Sequence, residues 1–224
     1  MHPRALVQAL VTKGIDIAAI TDHNASENII HVMRAARDTS LAIIAGMEVT
    51  TREEAHVLGL FENLENVQRF QKIVYKRLPD TADGVQDCEN QPIVNEREEV
   101  EGFNMHPLFN ATDMPLNEVT DYIHHFGGIA IASHIDRSFF SVMSQLGVVP
   151  KEARFDGLEI SSSLGIAGGR RWFPELADYP FISSSDAHSL EDVGSSCTRM
   201  HLESPCFEEI RLALSRQGGR YILE

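Results

Sequence analysis

The sequence is short of cysteine, of basic residues and of long apolar runs, and each shortage argues against a class of protein. Its 224 residues include three cysteines, Cys88, Cys197 and Cys206, in no C-x-x-C pair, which argues against a disulfide framework and a zinc ribbon. The 33 Asp and Glu residues outnumber the 19 Lys and Arg residues, giving a net charge of -14. We therefore expect reduced thiols, a cytoplasmic protein and no extended nucleic-acid surface.

Long apolar runs are missing as well. No stretch approaches the roughly 20 apolar residues that a membrane-spanning helix needs, and no signal-type segment opens the chain, so we expect no membrane association. With 43% hydrophobic and 23% charged residues the composition is that of an ordinary globular protein. The length suits one α/β domain over residues 1–224.

Short apolar runs that end in polar residues are the main feature that is present. Residues 15–20 are nearly all apolar and lead into Thr21, Asp22 and His23. This run is too continuous for a half-solvated strand, so we predict a strand buried on both faces, as in a parallel sheet covered by helices. Further strands are predicted at 41–45, 57–61, 128–133, 155–160, 181–185, 195–202 and 220–223.

Apolar residues at helical spacing predict helices between these strands, at 3–13, 26–36, 66–78, 115–126, 139–146 and 205–216. The acidic segment 80–109 has no convincing periodicity and is predicted to be a loop excursion over the core, with a lid over the site as the alternative. Residues 165–171 (GIAGGRR) are predicted to be a flexible basic turn, although Arg170 or Arg171 there is also a candidate to meet a phosphate.

Histidines and carboxylates follow several of the predicted strands, and Glu48 and His56 are expected to flank a hairpin or a tight return. Ligands gather at the carboxyl ends of strands in open α/β sheets and in α/β barrels. Neutral imidazoles and carboxylates suit zinc, manganese and iron. The pattern therefore predicts a metal site at these strand ends.

Four motifs in one order resemble the PHP (polymerase and histidinol phosphatase) domain family of metal-dependent phosphoesterases. They are I-T-D-H-N at 20–24, G-M-E-V-T-T at 46–51 with H-V-L-G-L-F at 56–61, I-A-S-H-I-D-R at 131–137, and S-S-S-D-A-H at 183–188. The resemblance implies a distorted (β/α)7 barrel with two or three divalent ions of zinc, manganese or iron. The metal ligands that it implies are His23, Glu48, His56, His134, Asp186 and His188, with Glu48 bridging two ions.

The family normally opens with an H-x-H pair at the end of a first strand, and this sequence has none. His2 stands ahead of the first predicted helix, not at a strand end. We therefore expect an N-terminally truncated version of the barrel with fewer metals bound. An inactive metal-binding or regulatory domain stays open as an alternative to an enzyme.

The function that the resemblance implies is hydrolysis of a phosphomonoester or a small nucleotide phosphate through a metal-bound hydroxide. Arg137 is the candidate to clamp the phosphate with its planar fork, and an ion pair with Asp136 or Glu159 is the alternative role for it. Asp22 is expected to orient an imidazole from behind the metal site. An amidohydrolase-like enzyme is the rival, because the same metal chemistry attacks carbonyl groups.

Overall fold

The computed structural model describes residues 1–80 and 91–223, and a six-stranded mixed sheet organises it. The strands are β1 (Ile17–Ile20), β2 (Ala42–Thr50), β3 (His56–Phe61), β4 (Pro92–Val94), β5 (Val100–Phe103), β6 (Ile129–Ala132), β7 (Gly157–Ile160), β8 (Phe181–Ser183), β9 (Arg199–His201) and β10 (Tyr221–Leu223). The main sheet has the order β1-β2-β3-β6-β7-β8. The pairs β4–β5 and β9–β10 form separate antiparallel ribbons.

The described residues form seven α-helices, of which α1 precedes β1 and the others lie between strands. They are α1 (Pro3–Thr12), α2 (Ile29–Ala36), α3 (Leu64–Arg77), α4 (Leu116–His125), α5 (Val142–Leu146), α6 (Gly165–Trp172) and α7 (Phe207–Leu214), and short 3-10 helices occupy Lys151–Ala153 and Pro174–Leu176. Local signals explain several boundaries. Asn63 caps α3 by accepting a hydrogen bond from Asn66 N (3.0 Å), and Gly147 ends α5 in the left-handed conformation.

The central part of the sheet is antiparallel, although parallel pairs dominate its two ends. Strand β1 runs parallel to β2, while β3 pairs antiparallel with both β2 and β6, and β6, β7 and β8 are parallel. Thr50 pairs with His56, so the return between Glu48 and His56 forms as predicted. This turn brings the end of β2 beside the start of β3.

The two faces of the sheet carry separate apolar clusters. Val49, Val57 and Phe61 belong to the larger cluster, which the helices α1 to α4 also line, and Ile44, Leu60 and Ile131 belong to a smaller one covered by α7. Since side chains alternate along a strand, Glu48 lies on the same face of β2 as Ile44. The smaller cluster therefore ends, at the carboxyl end of β2, in a buried carboxylate.

The structure corrects several predictions. β1 is the edge strand with Ala19 exposed, so the prediction that it is buried on both faces is wrong. β2 continues five residues beyond the predicted strand because residues 46–50 pair with β3. The α/β class is confirmed, whereas the sheet of the described residues is an open six-stranded one and the exact (β/α)7 barrel is not confirmed.

Two segments that were expected to be irregular contain regular structure. Within 80–109, the strands β4 and β5 form a hairpin, while residues 81–90 lie outside the described part. Residues 165–171 belong to helix α6, because Gly169 lets the helix come close to β7: a Cβ there would meet Ile160 Cγ1 at 2.5 Å. The prediction of a flexible turn there is wrong.

None of the helices in residues 1–80 and 91–223 is both long and apolar enough to cross a bilayer. Cys197 and Cys206 are exposed free cysteines, and Cys88 lies outside the described residues.

Candidate metal centre

All six predicted metal ligands line one open cavity of about 590 Å³, together with Arg137. The cavity lies at the carboxyl ends of β1, β2, β6 and β8 and at the amino end of the antiparallel β3. His23 follows β1 and lies opposite Glu48 of β2, where Asn24 N donates to Glu48 O (2.8 Å). His56 begins β3, His134 follows β6, and Asp186 and His188 follow β8. Residues from five separate strand ends thus meet at one place.

Glu48 is the centre of this group. Its Oε1 lies 3.1 Å from His56 Nδ1 and 3.5 Å from His134 Nε2, and its Oε2 lies 3.5 Å from His23 Nδ1. One ligand atom from each of His23, Glu48 and His56 can be chosen so that all three lie within 4.8 Å of one another. Such a spacing is compatible with a single shared cation.

The donor atoms fit a metal better than they fit one another. His56 Nδ1 is buried and, within the described residues, makes no hydrogen bond, although Glu48 Oε1 is only 3.1 Å away. A buried imidazole nitrogen this close to a carboxylate oxygen fits a cation shared by the two atoms. Two imidazole nitrogens and a carboxylate oxygen are also a donor set that zinc, manganese and iron accept.

The charges of the group suit cation binding. Burial by itself raises the pKa of Glu48, but the contacts with His134 and His56 outweigh it and hold the pKa of this carboxyl far below its ordinary value. Burial lowers the pKa of His23, and the neighbouring Glu48 opposes that shift. Glu48 is therefore ionised and His23 neutral at pH 7, which are the states that ligate metals.

Asp186, His188 and Arg137 form an outer group on the rim of the cavity. Arg137 Nη1 lies 2.7 Å from Asp186 Oδ2, and His188 Nδ1 lies 3.9 Å from Asp186 Oδ1. The rings of His23 and His188 have centroids 6.1 Å apart. The structure thus pairs Arg137 with a predicted metal ligand and not with either of the two partners predicted for it.

Those two expected partners of Arg137 make other contacts. Asp136 accepts hydrogen bonds from Ser161 N (2.8 Å) and from its hydroxyl, and Glu159 accepts from His134 N (3.0 Å). Arg170 donates to the carbonyls of Ala177 and Tyr179, and its guanidinium lies over the Phe181 ring. Arg170 therefore stabilises the turn before β8 and does not line the cavity.

Asp22 lies behind the metal group and not in the cavity. Its carbonyl accepts from Glu48 N (3.2 Å), and its carboxylate accepts from Asn28 Nδ2 (3.1 Å), not from an imidazole, among the hydrogen bonds of the described residues. Burial raises the pKa of Asp22, and the bond from Asn28 opposes the shift. The link between Asp22 and the site therefore runs through the backbone.

Three of the strand ends turn through residues in the left-handed conformation, which non-glycine residues seldom adopt. Asn24 has φ 50°, His134 has φ 27° and Asp186 has φ 44°. Such backbone costs on the order of 1–3 kcal/mol per residue and concentrates at functional sites. The strained positions coincide with the ends of β1, β6 and β8, from which site residues project.

Glu159 and Asn24 support the site in roles that were not predicted for them from the sequence. Glu159 is buried at the end of β7 and joins two neighbouring strand ends, because it accepts hydrogen bonds from His134 N and from the Ser184 hydroxyl. Burial raises the pKa of this carboxyl. A lone glutamate inside the apolar run F-D-G-L-E-I was the available signal, since buried carboxylates are rare without partners.

One curated relative matches nearly the whole of this chain. The chain is 26% identical over 243 residues to the uncharacterized protein YqxK of Bacillus subtilis, a match that covers 98% of this chain and 56% of that protein. The chain thus spans about half the length of this curated relative.

Solved structures share the fold at low identity. A lesion-specific endonuclease of Pyrococcus furiosus matches with a TM-score of 0.68 and 16% identity over 99% of this chain and 53% of that one. An endonuclease Q in complex with a 27-mer duplex carrying an abasic lesion gives 0.69 with the same identity and coverage. A protein of Bifidobacterium adolescentis named as a metal-dependent phosphoesterase gives 0.56, with 18% identity over 96% of this chain and 91% of that one.

Family matches cover most of the sequence. Residues 173–217 match a family described as PHP-associated, and residues 1–146 match the PHP domain itself. The second match contains four of the six predicted ligands and confirms the resemblance read from the four motifs. With that match over more than half of its length, the chain belongs to the PHP domain family.

Proposed function

We propose that this chain is a metal-dependent phosphoesterase whose divalent ion is held by His23, Glu48, His56 and His134. The observation that supports the proposal is the position of Glu48, a buried carboxylate with three imidazoles within 3.5 Å of its oxygens. Asp186 and His188 on the rim complete the proposed ligand set. The name of the Bifidobacterium adolescentis neighbour favours the same activity.

A divalent cation at this position supplies a Lewis acid that acidifies water and offsets charge on phosphoryl oxygens. The protein's own groups prepare the site for it. Glu48 stays ionised because its pKa is held low, and His23 stays neutral because burial lowers its pKa. The fold thus presents ready ligands at neutral pH.

Arg137 is proposed to bind the phosphate of the substrate. Its side chain is 42% exposed in the cavity wall, and the ion pair with Asp186 (2.7 Å) holds the guanidinium at the rim. A planar guanidinium donates two parallel hydrogen bonds to a phosphate, which a lysine cannot do. Asp22 is proposed to act indirectly, by fixing the backbone between His23 and Glu48.

The proposed substrate is a phosphomonoester or a small nucleotide phosphate. A second candidate is a phosphodiester in damaged DNA, which the likeness to endonuclease Q favours. That likeness corrects the expectation that net charge makes a nucleic-acid substrate unlikely, because an enzyme with this fold acts on DNA lesions. An amidohydrolase-like reaction remains a rival, and a non-catalytic metal-binding domain is the alternative outside enzymes.

Hydrolysis assays with added Mn²⁺ or Zn²⁺ separate these candidates. The substrates are p-nitrophenyl phosphate, bis(p-nitrophenyl) phosphate, an oligonucleotide duplex with one abasic site, and p-nitrophenyl acetate. We expect metal-dependent cleavage of a phosphate ester, which Glu48→Gln reduces by at least about a hundredfold because a metal ligand is lost. Glu62→Gln changes an exposed carboxyl just after β3 and is the matched control.

The pattern of cleaved substrates decides the outcome. Cleavage of the monoester supports the first candidate, and cleavage restricted to the diester or the abasic duplex supports the second. Cleavage of the acetate alone supports an amidohydrolase-like enzyme. Metal binding without cleavage of any substrate contradicts the proposed activity and favours a non-catalytic domain.

A further inference from the structure

Three phenylalanines with exposed side chains lie beside the candidate metal centre. Phe109 is 76% exposed, Phe139 is 74% exposed and Phe140 is 45% exposed, and the latter two line the cavity. Single exposed apolar residues are common and need no explanation. Three exposed aromatic rings beside one cavity do need an explanation. Two of them, Phe109 and Phe140, are also held in position by contacts with residues of the metal centre.

Phe109 makes a tilted contact with the ring of His23, with the two planes 53° apart, and its backbone is anchored. The ring centroids are 6.0 Å apart. The carbonyls on either side of Phe109, those of Leu108 and Asn110, accept hydrogen bonds from the buried Asn24 Nδ2 at 2.8 and 3.0 Å. The segment is therefore fixed beside His23 while the aromatic side chain stays in water.

Phe140 is fixed beside the second histidine, His56. Its ring stacks on His56, with centroids 4.9 Å apart and planes 13° apart, and its carbonyl accepts from His56 N (2.9 Å). It adopts a left-handed backbone with φ 56°, and Ser141 and Ser144 form a capping box immediately after it. Strained backbone conformations cluster at functional sites, where surrounding contacts hold them in place.

Phe109 thus contacts His23 and Phe140 contacts His56, and the rings of these two histidines are 5.1 Å apart. We propose that Phe109, Phe139 and Phe140 form an aromatic clasp that binds the nucleobase of a nucleotide whose phosphate occupies the metal centre. The inference rests on the proposed function, since it places a phosphate between Arg137 and the imidazoles.

A nucleobase fits this surface better than other groups do. Aromatic side chains bind bases of any sequence through their flat faces, with on the order of 1–3 kcal/mol per stacked base. With a net charge of -14, the protein does not attract a long phosphate backbone by charge alone. Stacking on a single base beside a cation site needs no positively charged surface. An acidic protein can therefore bind a nucleotide or nucleic-acid substrate in this way.

Binding measurements by calorimetry in the presence of Mn²⁺ test the clasp. The ligands are deoxyadenosine 5'-phosphate, deoxyribose 5-phosphate and deoxyadenosine, which carry both groups, the phosphate alone and the base alone. We expect the nucleotide to bind at least tenfold more tightly than deoxyribose 5-phosphate. Phe139→Leu should weaken nucleotide binding about fivefold and leave deoxyribose 5-phosphate binding unchanged, because one stacking face in the cavity wall is lost. Phe109→Leu and Phe140→Leu alter rings that contact the proposed ligands His23 and His56, and should weaken nucleotide binding more than deoxyribose 5-phosphate binding.

Phe103→Leu is the matched control, since Phe103 is also half exposed but lies on the hairpin strand β5 and does not line the cavity. Equal affinity for the nucleotide and for deoxyribose 5-phosphate would overturn the clasp, as would variants that weaken both ligands alike. If deoxyadenosine binds in a manner sensitive to Phe140→Leu while deoxyribose 5-phosphate does not bind, the clasp stands and the phosphate site fails. A five-nucleotide DNA single strand is the last ligand. If it binds more tightly than the nucleotide, the clasp binds a base within a DNA strand, and if the two bind equally, the clasp binds the base of a free nucleotide.

Discussion

Replacement of Asn24 is expected to cost more than that of an ordinary polar residue, because its side chain joins three parts of the chain. Asn24 is fully buried, its Nδ2 donates to Leu108 O and Asn110 O, and its Oδ1 accepts from Thr50 N (3.2 Å). Asn24→Ala removes three hydrogen bonds, each of which contributes about 1 kcal/mol to stability. It also places alanine in a left-handed backbone conformation, which costs roughly 1 kcal/mol. We therefore expect the free energy of unfolding to fall by about 4 kcal/mol.

Asn24→Gly separates the two contributions. Glycine adopts φ 50° freely, so this variant should be about 1 kcal/mol more stable than Asn24→Ala although it loses the same hydrogen bonds. Urea denaturation gives the free energy of unfolding for both variants and for the wild type. A cost below about 1 kcal/mol for Asn24→Ala, or equal costs for the two variants, would refute the reasoning.

Three further predictions concern other contacts. Glu159→Ala should weaken metal binding and destabilise the fold by about 1–3 kcal/mol, because it leaves the buried His134 N–H without an acceptor, whereas Glu159→Gln keeps an acceptor oxygen and should cost less in a thermal melt. Gly46→Ala should destabilise by about 1–3 kcal/mol in urea, because a Cβ there would meet Thr21 Cγ2 at 2.7 Å and Gly59 O at 3.1 Å. Hydrogen bonds from Arg220 lower the pKa of Glu209, so this pair stabilises the fold above the ordinary carboxyl pKa of 4.5 and the contribution is lost as pH falls through the lowered pKa. Glu209→Gln should therefore lower the melting temperature at pH 7 and match the wild type in strong acid.

The positions of the candidate ligands could be predicted from the sequence because they depend on local chain direction. Apolar runs that stop at His23, His134 and Asp186 predict strand ends, and parallel strands place such ends on one side of a sheet. The return between Glu48 and His56 follows from their short separation. These features need no knowledge of how distant segments pack.

Features that depend on packing between distant segments could not be predicted. The helix α6 contains three glycines, which normally disfavour a helix, and it forms because Gly169 packs tightly against Ile160 and Phe181. The pairing of Arg137 with Asp186 joins the ends of two strands far apart in sequence. The expected seven-stranded barrel was implied by the family resemblance and not by any residue pattern in this sequence. The sheet of the described residues is open and has six strands.

The central claim is that Glu48 and the surrounding histidines hold a divalent cation. The most direct test is an anomalous difference map from crystals grown with Mn²⁺ or Zn²⁺, with data collected above the absorption edge of the metal. We expect a peak about 2.0–2.2 Å from a carboxylate oxygen of Glu48 and from a nitrogen of His56. A map with no peak in the cavity, or with peaks only on the exposed surface, would contradict it.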